Sequence, residues 1–507
     1  MPRLTAEQRA FFRLVRQSVL ANPFSDIRKE LDLSMTGRQG QDHRPRDVEN
    51  AVKEVGDRIR ALERRKQAHI QLYKGQDRPL MESVFLYDVF HRFVPQFDGL
   101  IADQVAVGDK NLKVSFAPQV LALLRNRGFS QETAQRYFEL CFQLRRAFFF
   151  IQKNLVGCST CMRKLRERLW NNVFTHNLDW YERYLWNRME DFSTLILGPT
   201  GAGKGTAAVA IGRSGYIPFD EKSGAFFESF TRSFTALNLS QYSPTLIESE
   251  LFGHKKGAFT GAVEDYKGSF DRCSPHGAVF LDEIGEVDQA LQIKLLQILQ
   301  ERTFTPVGSH RKHRFSGRVI AATNRPLEEI RGDGILRNDF FYRLCSDVII
   351  VPSLAQRIRE DPQELEDLLS HTVARILGKP SAELTSMLGQ SILRELGQDY
   401  PWPGNVRELE QCVRRMLLNE AYSIDSPQDA DLAEWLARGV KEGFLDMQSL
   451  ISGYCCCLYE RLGTYEAVAR KTRVDRRTVK RYIQEGKERF QGSAWKRGRA
   501  MKSPNEP

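Results

Sequence analysis

Apolar residues recur at helical spacing through the first third of the chain. Phe11, Phe12, Val15 and Val19 repeat by threes and fours behind Thr5, a pattern that predicts a capped amphipathic helix stopping near Asn22-Pro23. Gly37 to Arg46 is polar, with glycine and proline, and reads as a loop. Val48, Val52, Val55, Ile59 and Leu62 then mark one stripe of another helix. Two heptads are too few for a coiled coil, so this stripe predicts packing inside a bundle. From about Ser130 a long helix carries Phe138, Phe142, Phe148 and Phe149. The pattern changes near residue 194. Thr194-Leu195-Ile196-Leu197, Ala278-Val279-Phe280-Leu281 and Arg318-Val319-Ile320-Ala321-Ala322 are short unbroken apolar runs and read as buried strands.

Two of these strands end in chemistry. The first runs into Gly198-Pro199-Thr200-Gly201-Ala202-Gly203-Lys204, which matches a P-loop. Gly198, Gly201 and Gly203 let backbone N–H groups turn inward around phosphates, and the following helix points its positive end at them. Lys204 would bridge the β- and γ-phosphates of ATP. Gly205 stands where a magnesium-binding hydroxyl is usual, with Thr206 next. The second strand delivers Asp282 and Glu283, a Walker B pair in which Asp282 holds the Mg²⁺ shell and Glu283 polarises the attacking water.

Between these halves lies Gly257-Ala258-Phe259-Thr260-Gly261-Ala262. A GAFTGA sequence so placed resembles the AAA+ domain of sigma-54-dependent transcriptional activators, over roughly residues 157 to 418. The resemblance implies an α/β P-loop ATPase core with a helical lid, and a surface loop, Gly257 to Ala262, that touches the sigma factor. It places Asn238 as the switch that restrains the catalytic glutamate. Thr323 and Asn324 fall at sensor I, near the γ-phosphate. Arg337 and Arg343 become arginine fingers reaching into a neighbouring subunit, so a homo-oligomeric ring, drawn as a hexamer, is implied. Tyr400-Pro401-Trp402-Pro403-Gly404 turns into a helix whose first turn carries Arg407 at sensor II. Sigma-54 RNA polymerase is the implied partner.

Composition adds three things. A length of 507 residues exceeds the roughly 250–300 residues of a single core, so several domains are expected. No apolar run approaches the ~18 residues of a membrane span, and the N-terminus shows no signal-peptide core, so a cytoplasmic location without membrane contact is expected. The net charge of +10 is concentrated at the C-terminal end: twelve Lys/Arg against three acids lie between residues 470 and 500. There Tyr465 to Lys471 and Arg476 to Gln484 read as a helix-turn-helix. Arg476, Arg477, Lys480 and Arg481 face outward for double-stranded DNA, and Val479 and Ile483 face inward. This end resembles the Fis-like module of the same activators, with Arg473 where a turn glycine is common.

Nine cysteines without regular spacing suggest reduced thiols. Cys158-Ser159-Thr160-Cys161 has metal or redox spacing but no second pair, and Gly157 to Met162 also resembles the G-x-S-x-x-M start of the family's ATPase domain; the structural reading is preferred. The expected organisation is a mostly helical regulatory domain at 1–155, the α/β ATPase at 156–353 and its lid at 354–422. A linker at 423–444, a helix-turn-helix domain at 445–490 and a basic tail at 491–507 follow. No early strand with paired acids points to a phosphoacceptor receiver, and loss of residues 1–150 is expected to leave a competent ATPase. Two rival functions share these motifs: a DNA-binding repressor that uses the AAA+ fold as a ligand or oligomerisation switch, and an AAA+ remodeller of another substrate.

Overall fold

Thr5 starts the first helix through a reciprocal cap: its hydroxyl accepts the Gln8 N–H, and the Gln8 side chain accepts the Thr5 N–H. The computed structural model describes residues 3–37, 45–332, 334–418, 432–442 and 445–489. Among these, eight α-helices of ten residues or more precede the sheet: α1 (Ala6–Leu20), α2 (Asp26–Met35), α3 (Pro45–Arg64), α4 (Asp77–Arg92), α5 (Val94–Val107), α6 (Ala117–Asn126), α7 (Gln131–Asn154) and α8 (Thr160–Phe174). The stripe from Val48 lies on α3, where Val55, Ile59 and Leu62 are buried in the bundle.

The sheet is formed by β1 (Thr194–Leu197), β4 (Phe234–Asn238), β5 (Ala278–Asp282), β8 (Arg318–Thr323) and β9 (Asp347–Ile350), all parallel, in the order β4-β5-β8-β1-β9. Two short hairpins, β2 (Phe219–Asp220) with β3 (Ala225–Phe226) and β6 (Thr303–Phe304) with β7 (His313–Arg314), stand outside it. The three strands legible as apolar runs are the interior ones, buried along nearly their whole length. The edge strands β4 and β9 are only partly buried, so their sequences carry polar residues and do not announce themselves.

Helices Leu354–Glu360, Gln363–Leu377, Ala382–Leu396 and Asn405–Leu418 form the lid. Its tie to the start of α8 is ionic and buried. The Glu364 carboxylate accepts two bonds from Arg357, at 2.6 and 3.0 Å, and one from the Ser159 N–H at 2.7 Å. Arg357 also donates to the Val156 carbonyl, and Glu360 accepts the Cys161 N–H at 2.7 Å. Lid carboxylates therefore satisfy amide donors at the N-terminus of α8, where intrahelical partners are lacking. Gly157, at φ +122°, lies so close that a Cβ there would sit 2.1 Å from the Glu364 carboxylate. The glycine and serine of the G-x-S-x-x-M segment thus have packing reasons. The Cys158 thiol is pushed up to about 12 by burial and by its bond to Asp361, the reverse of what a reactive thiolate needs. Among the described residues no group of three or more His, Cys, Asp or Glu could hold a metal ion.

The N-terminal helices and the ATPase sheet share one hydrophobic cluster. Phe138, Phe142 and Phe150 of α7 pack on Phe219, Phe226 and Phe230, with ring centroids 4.9, 4.2 and 5.5 Å apart. Glu139 accepts the Phe219 N–H at 2.8 Å, Gln143 donates to the Ser214 carbonyl at 2.9 Å, and the fully buried Arg146 donates to the Gly215 carbonyl. Residue 155 falls inside this seam, and residues 1–414 form one compact unit.

The second unit, from Arg415, contains helices Leu432–Glu442, Met447–Leu462, Tyr465–Thr472 and Arg476–Arg489. Its small core is Cys455, Cys456, Val468, Val479 and Ile483. Arg473 takes the left-handed turn position at φ 57°, and Asp475 caps the last helix by accepting the Arg477 and Thr478 N–H groups. Within the stretch expected to be a linker, Leu432–Glu442 is helical; 423–431, 443–444 and the expected tail at 491–507 lie outside the described residues. No helix among the described residues is long and apolar enough to cross a membrane.

Two outcomes follow from the seam and the tie. Deleting residues 1–150 uncovers Phe219, Phe226 and Phe230, each buried against α7, so the remainder should aggregate or melt without a cooperative transition. A monodisperse, cooperatively melting remainder by gel filtration and circular dichroism would show that the helices are an appendage. Glu364→Ala leaves Arg357 charged and buried, which should cost about 3–5 kcal/mol in urea unfolding. A loss below about 1 kcal/mol would mean the pair is not the lid's anchor.

Candidate nucleotide site and adjoining loop

The parallel order brings the C-terminal ends of β1, β5 and β8 side by side, which is where open α/β sheets present their ligand sites. From β1 the chain enters the P-loop; Gly201 and Gly203 take φ values of +76° and +107°, and the helix Lys204–Gly212 begins at once. Lys204 is nearly buried, and its ammonium donates to the loop's own carbonyls at Gly198, 2.9 Å, and Pro199, 3.3 Å. Burial pulls its pKa down, while Glu283 and Asp282 push it up and Arg407 adds to the lowering. The P-loop lysine, both Walker B acids and the lid arginine therefore lie within one electrostatic neighbourhood.

The lid closes directly on the loop. A Cβ on Gly201 would stand 2.2 Å from the Gly404 carbonyl oxygen and 3.0 Å from the Arg407 Cβ, so only glycine fits. Asn405 joins three segments: its amide donates to the Thr200 carbonyl at 2.9 Å and its oxygen accepts the Leu354 N–H at 2.8 Å. Both Trp402 and Asn405 sit at positive φ, 48° and 53°, and so does Glu283 at 57°. Left-handed backbone in non-glycine residues is costly and clusters at working sites. Asn405 had no assigned role in the sequence; the only hint was its place after Pro403-Gly404.

Other predicted residues separate. Asn324 donates to the Thr200 hydroxyl at 3.1 Å, touching the P-loop, whereas the buried Thr323 hydroxyl accepts the Arg325 N–H. Asn238 lies in register with Asp282 on the neighbouring strand, and its side chain accepts from Ser240 at 3.0 and 2.7 Å; no bond to Glu283 is formed. Gly205 is exposed with open space where a Cβ would point, so packing does not demand the missing hydroxyl; Thr206 is half-buried beside it. Arg343 is exposed and Arg337 half-buried, held by Asp339 at 2.8 Å. In the second unit Arg476, Arg477, Lys480 and Arg481 are exposed on one helix, with Val479 and Ile483 buried beneath; Arg476 pairs with Glu466 at 2.7 Å.

The loop from Gly257 to Ala262 is closed at its neck by the Gly257 N–H bonding to the Ala262 carbonyl at 2.8 Å. Gly257, Thr260 and Gly261 are exposed, Ala258 and Phe259 half-buried, and Ala262 buried. Phe259 does not point freely outward: its ring meets His254 edge-on at 4.9 Å. His254 in turn lies 2.7 Å from the Ser249 hydroxyl, on the helix Pro244–Phe252 that follows β4. The His254 backbone bonds in both directions with Tyr266, and Lys255 pairs with Asp265 at 2.5 Å. His254 thus links the loop to the strand carrying Asn238, a role a lone histidine three residues before Gly257 did not reveal.

Comparison with known proteins places this geometry. Residues 179–349 match the family described as the sigma-54 interaction domain, and residues 359–433 match the AAA+ ATPase lid domain. The Nif-specific regulatory protein of Azotobacter vinelandii is 36% identical over 302 residues, 59% of this chain and 50% of that protein. The Nif-specific regulatory protein of Klebsiella pneumoniae is 38% identical over 274 residues, covering 54% and 46%. A crystal structure of NtrX from Brucella abortus superposes with a TM-score of 0.40 at 21% identity, over 73% of this chain and 80% of that one. The chain spans about half the length of the curated relatives it matches. With its P-loop, paired acids, lid and GAFTGA loop in one parallel α/β unit, the region from 179 to 433 matches a sigma-54 interaction domain followed by an AAA+ ATPase lid domain.

Proposed function

We propose that the chain is a sigma-54-dependent transcriptional activator, an ATPase that drives the Gly257–Ala262 loop against sigma-54 RNA polymerase to open a promoter. The observation that carries this reading is the GAFTGA loop itself, standing on a helix that leaves the same sheet as the nucleotide site. ATP phosphates would displace the Lys204 ammonium from its own loop carbonyls. Asp282 and the Thr206 hydroxyl suit a Mg²⁺ shell, and Glu283 would polarise water. Asn324 and Arg407 would read the γ-phosphate from the sheet and the lid. The half-buried Arg337 and the exposed Arg343 suit fingers for a neighbouring subunit, hence a hexameric ring. The basic helix from Arg476 would enter a major groove upstream of the promoter. Residues 1–155 would serve as the regulatory region, with the lid at 354–422, and the protein would act in the cytoplasm beside the polymerase.

Thr260→Ala deletes one exposed hydroxyl far in sequence from the phosphate-binding residues. ATP hydrolysis and ring assembly should stay within about two-fold, while open-complex formation falls at least ~10-fold, about 1.4 kcal/mol. Joint loss of ATPase and assembly would make the loop a structural element; full promoter opening would detach the motif from this function. His254→Ala removes the ring beneath Phe259 and its link to Ser249. The same split is expected, and His254→Asn, which can keep the Ser249 bond but not the ring contact, should not restore promoter opening. Unchanged opening in His254→Ala would show that Phe259 needs no post.

A further inference from the structure

A cavity of about 600 Å³ lies along the seam between α7 and the ATPase unit, at the end of the sheet away from the P-loop. Its walls include Gln135 of α7, Trp186, Tyr216 and His276, together with Ala278 and Arg318 at the starting ends of β5 and β8. The helix Lys204–Gly212 runs from the P-loop to this cavity, about 1.5 Å per residue and so roughly 13 Å long. The volume is that of a small-molecule site, and such sites favour domain seams.

The charges facing the cavity are unevenly satisfied. Its two cationic side chains are held differently. Arg136 forms an ion pair with Glu182 at 3.1 Å, although the same nitrogen makes no hydrogen bond, and it lies over Trp186 at 5.3 Å. Arg318 donates to the Phe192 and Asn172 carbonyls and to the Asn172 and Thr194 side chains. Glu139 accepts Tyr216, the Phe219 N–H and Gln135. By contrast, the carboxylates of Glu132 and Glu190, which also line the cavity, have no partner among the described residues. The helix Lys204–Gly212 adds its carbonyl end, which favours cations. Trp186 and Tyr216, ring centroids 4.6 Å apart, give an aromatic wall. An exposed glutamate without a partner is ordinary. Here Glu132 is exposed and Glu190 half-buried, and with Glu139 they set three carboxylates against two guanidiniums, one of them already paired with Glu182, which leaves the aromatic-walled cavity with a net demand for positive charge.

We propose that this cavity binds a small planar organic cation, of the amidinium or arylammonium class, bridging the N-terminal helices and the base of the ATPase sheet. Binding here does not depend on the chain hydrolysing ATP or touching sigma-54. The test is titration calorimetry on the full-length protein with benzamidine, and with benzoate as the same shape of opposite charge. Saturable binding of one benzamidine per chain is expected, with no benzoate heat. Glu132→Gln with Glu190→Gln should weaken benzamidine about ten-fold or more, since charge-assisted bonds are lost. Ser316→Phe, which fills the cavity from its lining, should abolish binding, while Lys204→Ala should leave it unchanged. The proposal is overturned by equal binding of benzoate, by absence of binding for benzamidine, phenethylamine and agmatine at millimolar concentration, or by undiminished binding in a Ser316→Phe protein that melts like the parent. Undiminished binding in the double glutamine variant also overturns it.

Discussion

The buried ammonium of Lys204 is the constraint on which the central unit turns. Lys204 satisfies itself on the Gly198 and Pro199 carbonyls, and its charge is balanced only at a distance by Glu283 and Asp282. An anion with several oxygens would serve it better than its own backbone does. Every neighbouring feature follows from keeping that place open yet enclosed. Parallel strands deliver the acids from one side, and the lid presses Gly404 and Arg407 onto Gly201 from the other. Asn405 holds loop and lid together through two backbone groups, at the expense of a left-handed φ.

The same unit is braced from outside. Glu364 and Arg357 fix the lid to the head of α8, and α7 fixes the sheet through the phenylalanine seam. Regulation by the N-terminal helices would then not need a swinging domain. Any shift of α7 acts on Ser214 and Gly215, just past the helix that starts at Lys204. The buried Arg146 sharpens this point, because two of its nitrogens lack partners and its guanidinium rests on Phe142 and Phe230. Such a group penalises partial separation of the seam as well as its complete loss, since water reaching it changes its solvation at once.

How much of this was legible in the sequence depended on whether the signal was local. Interior strands show as apolar runs, so β1, β5 and β8 could be read with the chemistry at their ends. Edge strands β4 and β9, half exposed, could not. Thr5 was readable as a cap because a cap sits within three residues of its helix. The seam was not readable: Phe138, Phe142 and Phe150 show helical periodicity, but their partners lie some eighty residues later around hairpin strands of two residues each. Arg357 carried no signal in the sequence, and only the fold shows it saturating Glu364 beside Gly157. His254 needed the loop's folded shape before its ring contact had meaning.

The central claim is that phosphate chemistry at Lys204 and Glu283 is coupled to what the Gly257–Ala262 loop can hold. Capture of purified sigma-54 by the full-length protein, compared across nucleotide states, tests this most directly. The account predicts retention with ADP plus aluminium fluoride, which imitates the hydrolysis transition state, and little retention with ADP or without nucleotide. Equal retention in all three states, or none in any state from a protein that hydrolyses ATP, would contradict it.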